Sequence, residues 1–477
     1  MNFRLLALST LSALALSGCA VGPDHVAMPP SPASSGPFLS ANEPAFELAP
    51  LPEDWWRLYD DPVLDGLVQD ALAANTDVRQ AIARIERARA GLRGARGDRL
   101  PQTQIGGGAA YGRLPESQVP AGAEREDWSY DAGLDVSYEL DLFGRISRGI
   151  EAARADLASS QAHADAVRVM VVAETTRAYA DAASGAARLR VANEIVDLLD
   201  RSLTLTRRRH DAGLESGLAV ARVATLRDQR AAEIPAIEAD RAAALFRLAT
   251  LTGRAPAELP PIAGERSIVL EIEQPLPVGD GAHLLARRPD IRAAERRLAA
   301  DTARIGVATA DLYPRITLGG SLGSTGSSIG DIFTGGPFRW LLGPLLNWTF
   351  ANQEPIRARI DAAEADTAGS LAAFDGAVLN ALSETETALS NYTRAIERRR
   401  ALRSASEEAA RAARIVQAQQ REGAINSLDR LDAERTLAET LAQLAEQDAR
   451  ISRAQIDVFR ALGGGWEAGA DGVSGEL

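Results

Sequence analysis

The sequence predicts a mainly α fold with a small β part: long antiparallel coiled-coil helices plus four strands per chain. Three observations predict it. The chain repeats itself once along its length. Each half contains a stretch of roughly 70 residues at the spacing of a packed helical seam. Each half also contains two short runs in which apolar and polar residues alternate, the period of a strand with two different faces.

The amino terminus reads as a secretory signal peptide over 1–18: one positive residue, Arg4, an apolar run from Leu5 to Leu16, then Ser17-Gly18-Cys19. The run is short of the roughly 20 residues a membrane-crossing helix needs. Leu16-Ser17-Gly18-Cys19 resembles a bacterial lipobox, which implies cleavage before Cys19 and lipidation of its thiol. Cys19 is the single cysteine of the chain, so it has no disulfide or metal partner. Each buried acyl CH₂ would add about 0.8 kcal/mol of membrane affinity. Ala20 follows where an aspartate would favour the inner membrane, so the resemblance points to the outer one. Residues 19–60 then form a lipidated, extended N-terminal segment.

The repeat organises the rest. Thr76-Asp77-Val78-Arg79-Gln80-Ala81 is echoed by Pro289-Asp290-Ile291-Arg292-Ala293-Ala294, an offset of 213 (290 − 77) that also carries Pro101 onto Pro314. Further on, Ile150-Glu151-Ala152-Ala153 matches Ile360-Asp361-Ala362-Ala363 at an offset of 210 (360 − 150), which also pairs Gly213 with Gly423. The first repeat spans 61–253, a Pro/Gly-rich linker 254–280, the second repeat 281–465, and a flexible tail 466–477.

Within each repeat the predicted order is a helix, two strands, one very long helix and a returning helix. The strands are expected at about 102–112 and 128–141, then 315–326 and 338–350. In Tyr130–Leu140 every even position is apolar and the odd ones are Asp131, Gly133, Asp135, Ser137 and Glu139, so one face would meet lipid and the other water. Trp340, Leu342, Pro344, Leu346, Trp348 and Phe350 repeat this, with Leu341 and Leu345 blurring the second face. Long helices are expected at about 142–212 and 214–252, then 355–422 and 424–462. At about 1.5 Å per residue a 70-residue helix reaches roughly 100 Å. Gly213 and Gly423 mark tight turns at the helical tips, and Pro235 should bend the first returning helix.

Composition excludes several functions. The net charge of −13 argues against nucleic acid, which needs a concentrated basic face. No apolar run of membrane-helix length follows Leu16, so a membrane span would have to be a β-barrel. Four strands of about ten residues suit a bilayer, but about eight is the smallest closed barrel. The barrel would therefore be shared between chains, twelve strands from three copies being the simplest closed solution. The histidines His25, His163, His210 and His283 are scattered without metal-ligand spacing. Glu384 and Glu386 read as a solvated helix face. No nucleophile stands beside a base, so neither an enzyme nor a bound metal or cofactor is expected beyond the lipid on Cys19.

Specific motifs carry a resemblance over nearly the whole mature chain. Cys19-Ala20-Val21-Gly22-Pro23-Asp24, Trp55-Trp56 with Asp61-Pro62-Val63-Leu64, Tyr138-Glu139-Leu140-Asp141-Leu142-Phe143-Gly144-Arg145 and Ala461-Leu462-Gly463-Gly464-Gly465-Trp466 resemble the TolC family of outer-membrane efflux proteins. The match is to its lipoprotein (NodT/OprM-like) branch, which serves resistance-nodulation-division (RND) pumps. His25 stands where the family usually has an aromatic residue. Asn347 and Ala351-Asn352-Gln353-Glu354-Pro355 replace its usual glycine-rich continuation. The resemblance implies a homotrimer with a 12-stranded transmembrane β-barrel and a periplasmic α-barrel, joined to a periplasmic adaptor protein and an inner-membrane RND pump. It implies a passive exit duct for drugs or other small molecules, gated at the periplasmic tip. There the second-repeat turn would supply the constriction. Leu428 and Asp432 share a helix face and Arg435 lies one turn beyond, with Asp429 as a second acid. Threefold repetition would make Asp432 a ring of carboxylates; Arg435 could pair with Asp432 in its own helix or a neighbour's. The alternatives are a lipid-anchored coiled-coil spacer without a pore and a type I secretion duct.

Overall fold

The structure is a computed structural model that describes residues 20–26, 35–115, 117, 119, 122, 124–334, 338–422, 425 and 427–465. The signal segment, Cys19, Gly423 and the tail from 466 lie outside the described residues. The elements are β1 (Phe46–Glu47), α1 (Pro62–Ala74), α2 (Thr76–Gly97), β2 (Gln102–Arg113), β3 (Glu126–Leu140), α3 (Arg145–Asp211), α4 (Gly217–Ala231) and α5 (Ile234–Leu251). There follow β4 (Leu276–Pro277), α6 (Gly281–Arg287), α7 (Pro289–Ala310), β5 (Arg315–Gly326), β6 (Phe338–Asn347), α8 (Glu354–Arg421) and α9 (Ser427–Ala461). The fold is mainly helical with a minor sheet.

Local chemistry sets the ends of the long helices. α3 starts at Arg145 and not at 142 because both Asp141 carboxylate oxygens cap it, accepting from the Ile146 and Ser147 N–H groups at 2.9 and 2.8 Å. Gly144 turns the chain into this cap with a φ of +80°. The first returning helix is interrupted, not merely bent. α4 stops at Ala231, the residue whose carbonyl a helical Pro235 would crowd, and α5 resumes with Pro235 in its first turn.

The chain divides into two compact units, and each draws on both sequence repeats. Among the described residues, one comprises those within 20–26, 84–161 and 293–375; the other comprises those within 35–83, 162–292 and 376–465. The first unit contains the four-stranded sheet, ordered β2-β3-β5-β6 and antiparallel throughout. β3 starts two residues earlier than expected and β6 ends at Asn347, leaving Trp348 and Phe350 beyond the strand. Beside the sheet Leu92, Ile146 and Ile150 pack α2 on α3. Residues 20–25 dock here as well: Val21 N–H donates to Phe143 O at 3.2 Å, and Arg148 pairs with Asp24 at 2.7 Å. Gly306 permits this approach, since a Cβ there would lie 2.9 Å from Val21 O.

Charge ties α7 to α8 in the same unit. Asp301 accepts from the Ser370 hydroxyl and pairs with Arg297 at 3.0 Å and with Arg304. Burial pushes the Asp301 carboxyl up, but Ser370 and the two guanidiniums outweigh it and hold the group below its usual value. A carboxyl depressed by folding adds stability above its unfolded pKa of about 3.9 and loses it as pH falls through the folded value. Asp301→Asn is therefore expected to lower the thermal midpoint at pH 7. The gap to the parent should narrow as pH falls below about 4, as followed by thermal unfolding in detergent.

The second unit holds the large core. Trp55 is fully buried and stacks on Phe459 with ring centroids 4.7 Å apart. The stretches read as an extended N-terminal segment and a linker both contribute: β1 pairs in parallel with β4, and Phe46, Leu51, Leu270, Ile272 and Leu276 are buried in one cluster. Asp61 caps α1 and also accepts from Tyr179 at 2.9 Å and Arg266 at 2.7 Å. Glu384 and Glu386 do more than face solvent. Glu384 accepts from Arg288 at 3.0 Å, and the two Glu386 oxygens accept from the Leu39 and Ser40 N–H groups at 2.7 and 3.0 Å.

Candidate functional site

Two helical turns and one open-edged sheet are the parts that bear on function. At the first turn α3 ends at Asp211 and the chain reverses through Gly213, whose φ of +77° favours glycine. Gly213 N–H donates to His210 O and Leu214 N–H to Arg209 O, both at 2.8 Å, the bonding of a glycine helix stop. Ser216 then caps α4, its hydroxyl accepting from Ala219 N–H at 3.2 Å. At the second turn Gly423 lies outside the described residues, and α9 begins at Ser427.

The first turns of α9 present two different faces. Leu428, Asp429, Asp432 and Arg435 all lie on the exposed one, Leu428 being 53% exposed. Arg435 donates to Asp432 at 2.7 Å within the same helix, and both side chains are more than half exposed. An exposed pair of this kind contributes only about 0.2–0.5 kcal/mol, so Arg435 can exchange Asp432 for another partner at little cost. On the opposite face Leu431 packs with Ile195, Leu199, Leu226 and Ala438. Between them Glu434 is 1% exposed and accepts from Arg430 at 2.7 Å, while Arg430 also donates to Gln420 of α8 at 2.8 Å. This clasp fixes α9 on α8 and so aims the exposed face.

Sequence reasoning missed the clasp. The four-residue spacing of Arg430 and Glu434 beside apolar Leu431 and Ala438 was a usable signal; nothing distinguished Gln420.

The sheet has an apolar and a polar face, and its register shows how they are built. Tyr130, Leu134 and Tyr138 share one face with Leu322 and Leu318 of β5 and with Trp340 and Leu342 of β6. Exposure on that face is high: Ile105 is 85% and Trp340 70% exposed. On the other face Asp131 of β3 pairs with Arg339 of β6 and accepts from Thr325 of β5 at 2.8 Å. Leu341 and Leu345 also fall on this polar face. β2 and β6 each have one hydrogen-bonded neighbour, so both outer edges are open. Among the described residues no helix is long and apolar enough to cross a membrane, and no group of three or more His, Cys, Asp or Glu side chains is placed to hold a metal.

A sheet greasy on one face and polar on the other, in a chain with helices of 67 and 68 residues, suits an outer-membrane transport duct. The comparisons agree. The family model described as outer membrane efflux protein matches residues 67–254 and 282–464, one match in each repeat. The chain is 32% identical over 467 residues to outer membrane protein OprJ of Pseudomonas aeruginosa, covering 96% of this chain and 95% of OprJ. It is 30% identical over 473 residues to the antibiotic efflux pump outer membrane protein ArpC of Pseudomonas putida, covering 98% and 96%. The solved structure of the outer-membrane channel OprN superposes with a TM-score of 0.88 at 36% identity, over 94% of this chain and all of that one. The chain belongs to the outer membrane efflux protein family. It is an outer-membrane efflux channel protein, in a family of transport ducts and not of enzymes.

Proposed function

We propose that three copies close one twelve-stranded barrel in the outer membrane, four strands from each, above a helical duct through the periplasm. The observation that carries this reading is the pair of open edges on a sheet whose apolar face is exposed. An edge of free N–H and C=O groups cannot face lipid, so each must find a strand. Acylation of Cys19 tethers the mature chain to the same membrane, and the docking of residues 20–25 beside the sheet suits an anchor at that level. A periplasmic adaptor and an inner-membrane RND pump supply the cargo. The cargo is small molecules, as the name of the antibiotic efflux relative suggests, and the duct is passive.

The gate lies at the second helical turn. Leu428 forms an apolar constriction, Asp432 a ring of carboxylates that favours cations, and Asp429 a second acid. Arg435 holds Asp432 in the resting tip. Gly423 is the turn residue proposed ahead of this ring, and Gly213 is its counterpart at the first turn. A spacer without a pore has no use for an amphipathic sheet with open edges.

Native mass measurement of the detergent-extracted protein tests the assembly. Three times the mass of the lipidated mature chain is expected; a single-chain mass contradicts the shared barrel.

A further inference from the structure

Three features of the second unit meet at one level of its helices. The first is a row of ion pairs between the antiparallel helices α3 and α9. Arg177 pairs with Asp457, Asp181 with Arg453 at 2.6 Å and Arg188 with Glu446 at 3.1 Å. The steps along α3, four residues and then seven, are matched by four and then seven back along α9, so the two helices run in one fixed register. Alternating signs guard it: a slip of four residues would set Arg177 against Arg453 or Asp181 against Asp457. At this height the large core around Trp55 and Phe459 also holds α9. Beyond Arg188 and Glu446, towards the second turn, Val191, Ile195 and Leu199 share one apolar cluster with Ala438, Leu441 and Ala442, a contact that is not directional.

The second feature is the break between α4 and α5. Pro235 has no N–H to continue the helical bonding, and Glu233 N–H reaches back only three residues, to Arg230 O at 3.2 Å. By contrast α9, the returning helix of the second repeat, runs for 35 residues without a break. The third feature is a cavity of about 520 Å³. Arg188 and Ile195 of α3, Arg230 and Ile237 on either side of the break, and Ala442 and Glu446 of α9 border it. The last ion pair, the break and the cavity thus coincide.

Each supplies one requirement of a pivot. A close-packed interior does not yield to a tilting helix, and the cavity gives room. A helix bends sharply where proline removes a bond. Below the break α4 is tied to its neighbours by partly exposed pairs, Arg227 with Asp200 at 3.6 Å and Arg230 with Glu439 at 3.5 Å, which are easily exchanged for water. Leu226 of α4 packs in the cluster of Ala438 and Leu431, so the start of α9 follows α4. With 15 residues, α4 is about 22 Å long, and a tilt of about 10° moves its far end by about 4 Å.

Resting on the gate reading above, we propose that the tip opens by a pivot at the level of Arg188 and Glu446, where α4 tilts at residues 232–233 into the cavity beside Ala442. Above that level α3, α5 and α9 keep their register. Below it Leu226 carries the start of α9 along, with Leu428 and Asp432.

The assembled full-length protein in planar bilayers tests this in an Asp432→Ala background, where Leu428 still narrows the tip and opening still requires movement. Adding Pro235→Ala restores the missing helical N–H; adding Ala442→Leu instead fills the cavity. Each is expected to cut the open frequency several-fold, with a thermal midpoint no lower than that of the background. A background that opens more often than the parent, with both added changes leaving its frequency as it was, overturns the pivot and leaves the gate standing. An Asp432→Ala protein that opens no more often than the parent removes the gate, and the pivot with it.

Discussion

Trp55→Ala is expected to destabilise the protein by about 3–5 kcal/mol, the range for truncating a large buried aromatic side chain. The indole is fully buried, stacked on Phe459 and edge-on to Trp56 and Tyr59 with centroids 6.4 Å away in both cases. Gly464 closes over it so tightly that a Cβ there would lie 2.6 Å from the indole Cδ1. Little can collapse into the space left behind. The contact joins the segment that follows the N-terminal tether to the end of α9, so its loss should reduce the amount of assembled protein in the outer membrane. Trp55→Phe is the control. The indole Nε1 has no hydrogen-bond partner among the described residues, and phenylalanine keeps an aromatic ring against Phe459, so it should retain most of the stability. The thermal midpoints of the two variants, compared with the parent, check the expectation.

Opening of the tip is the second large effect. Leu428→Ala combined with Asp432→Ala would remove both rings of the proposed gate, and it releases Arg435 from its partner 2.7 Å away. All three side chains lie on the exposed face of α9, so the change should leave the packing of Leu431 and Ala438 intact. A many-fold rise in open frequency, with loss of cation preference, is expected with little change in thermal stability. A variant of the buried clasp behaves differently. Glu434→Ala leaves the Arg430 guanidinium short of its carboxylate partner, and it should loosen α9 on α8 as well as the gate.

Much of this architecture was legible in the sequence because it rests on periodicity. Alternation in Tyr130–Leu140 located β3 and its two faces, and three-and-four spacing without proline located α3 and α8. Gly213 announced its turn because few other residues adopt a positive φ. In the structure β5 lies at the 213-residue offset from β2, both strands being twelve long. Other features leave no periodic trace. β1 and β4 are two residues each and pair across more than 200 positions, so burial of Phe46 and Leu276 depends on a contact that no local pattern encodes. Asp141 shortened α3 at its start because a side-chain cap competes with the helix for the same N–H groups. Of the tip, helical spacing placed Leu428 and Asp432 on one face with Arg435 a turn beyond; the interest of that turn, and Asp429 as a second acid, came from the family resemblance. Gln420 was not, since a single polar residue on a long polar helix looks the same whether it meets solvent or Arg430.

On the function proposed above, copies of this chain enclose a pore whose resting tip is held nearly shut. Ion conductance of the purified, assembled protein in planar bilayers tests it most directly, comparing the parent with the Leu428→Ala, Asp432→Ala variant. Discrete conductance steps are expected, infrequent and cation-preferring in the parent and frequent and weakly selective in the variant. Absence of any step from an oligomer of trimeric mass, in the variant as well as the parent, would contradict it.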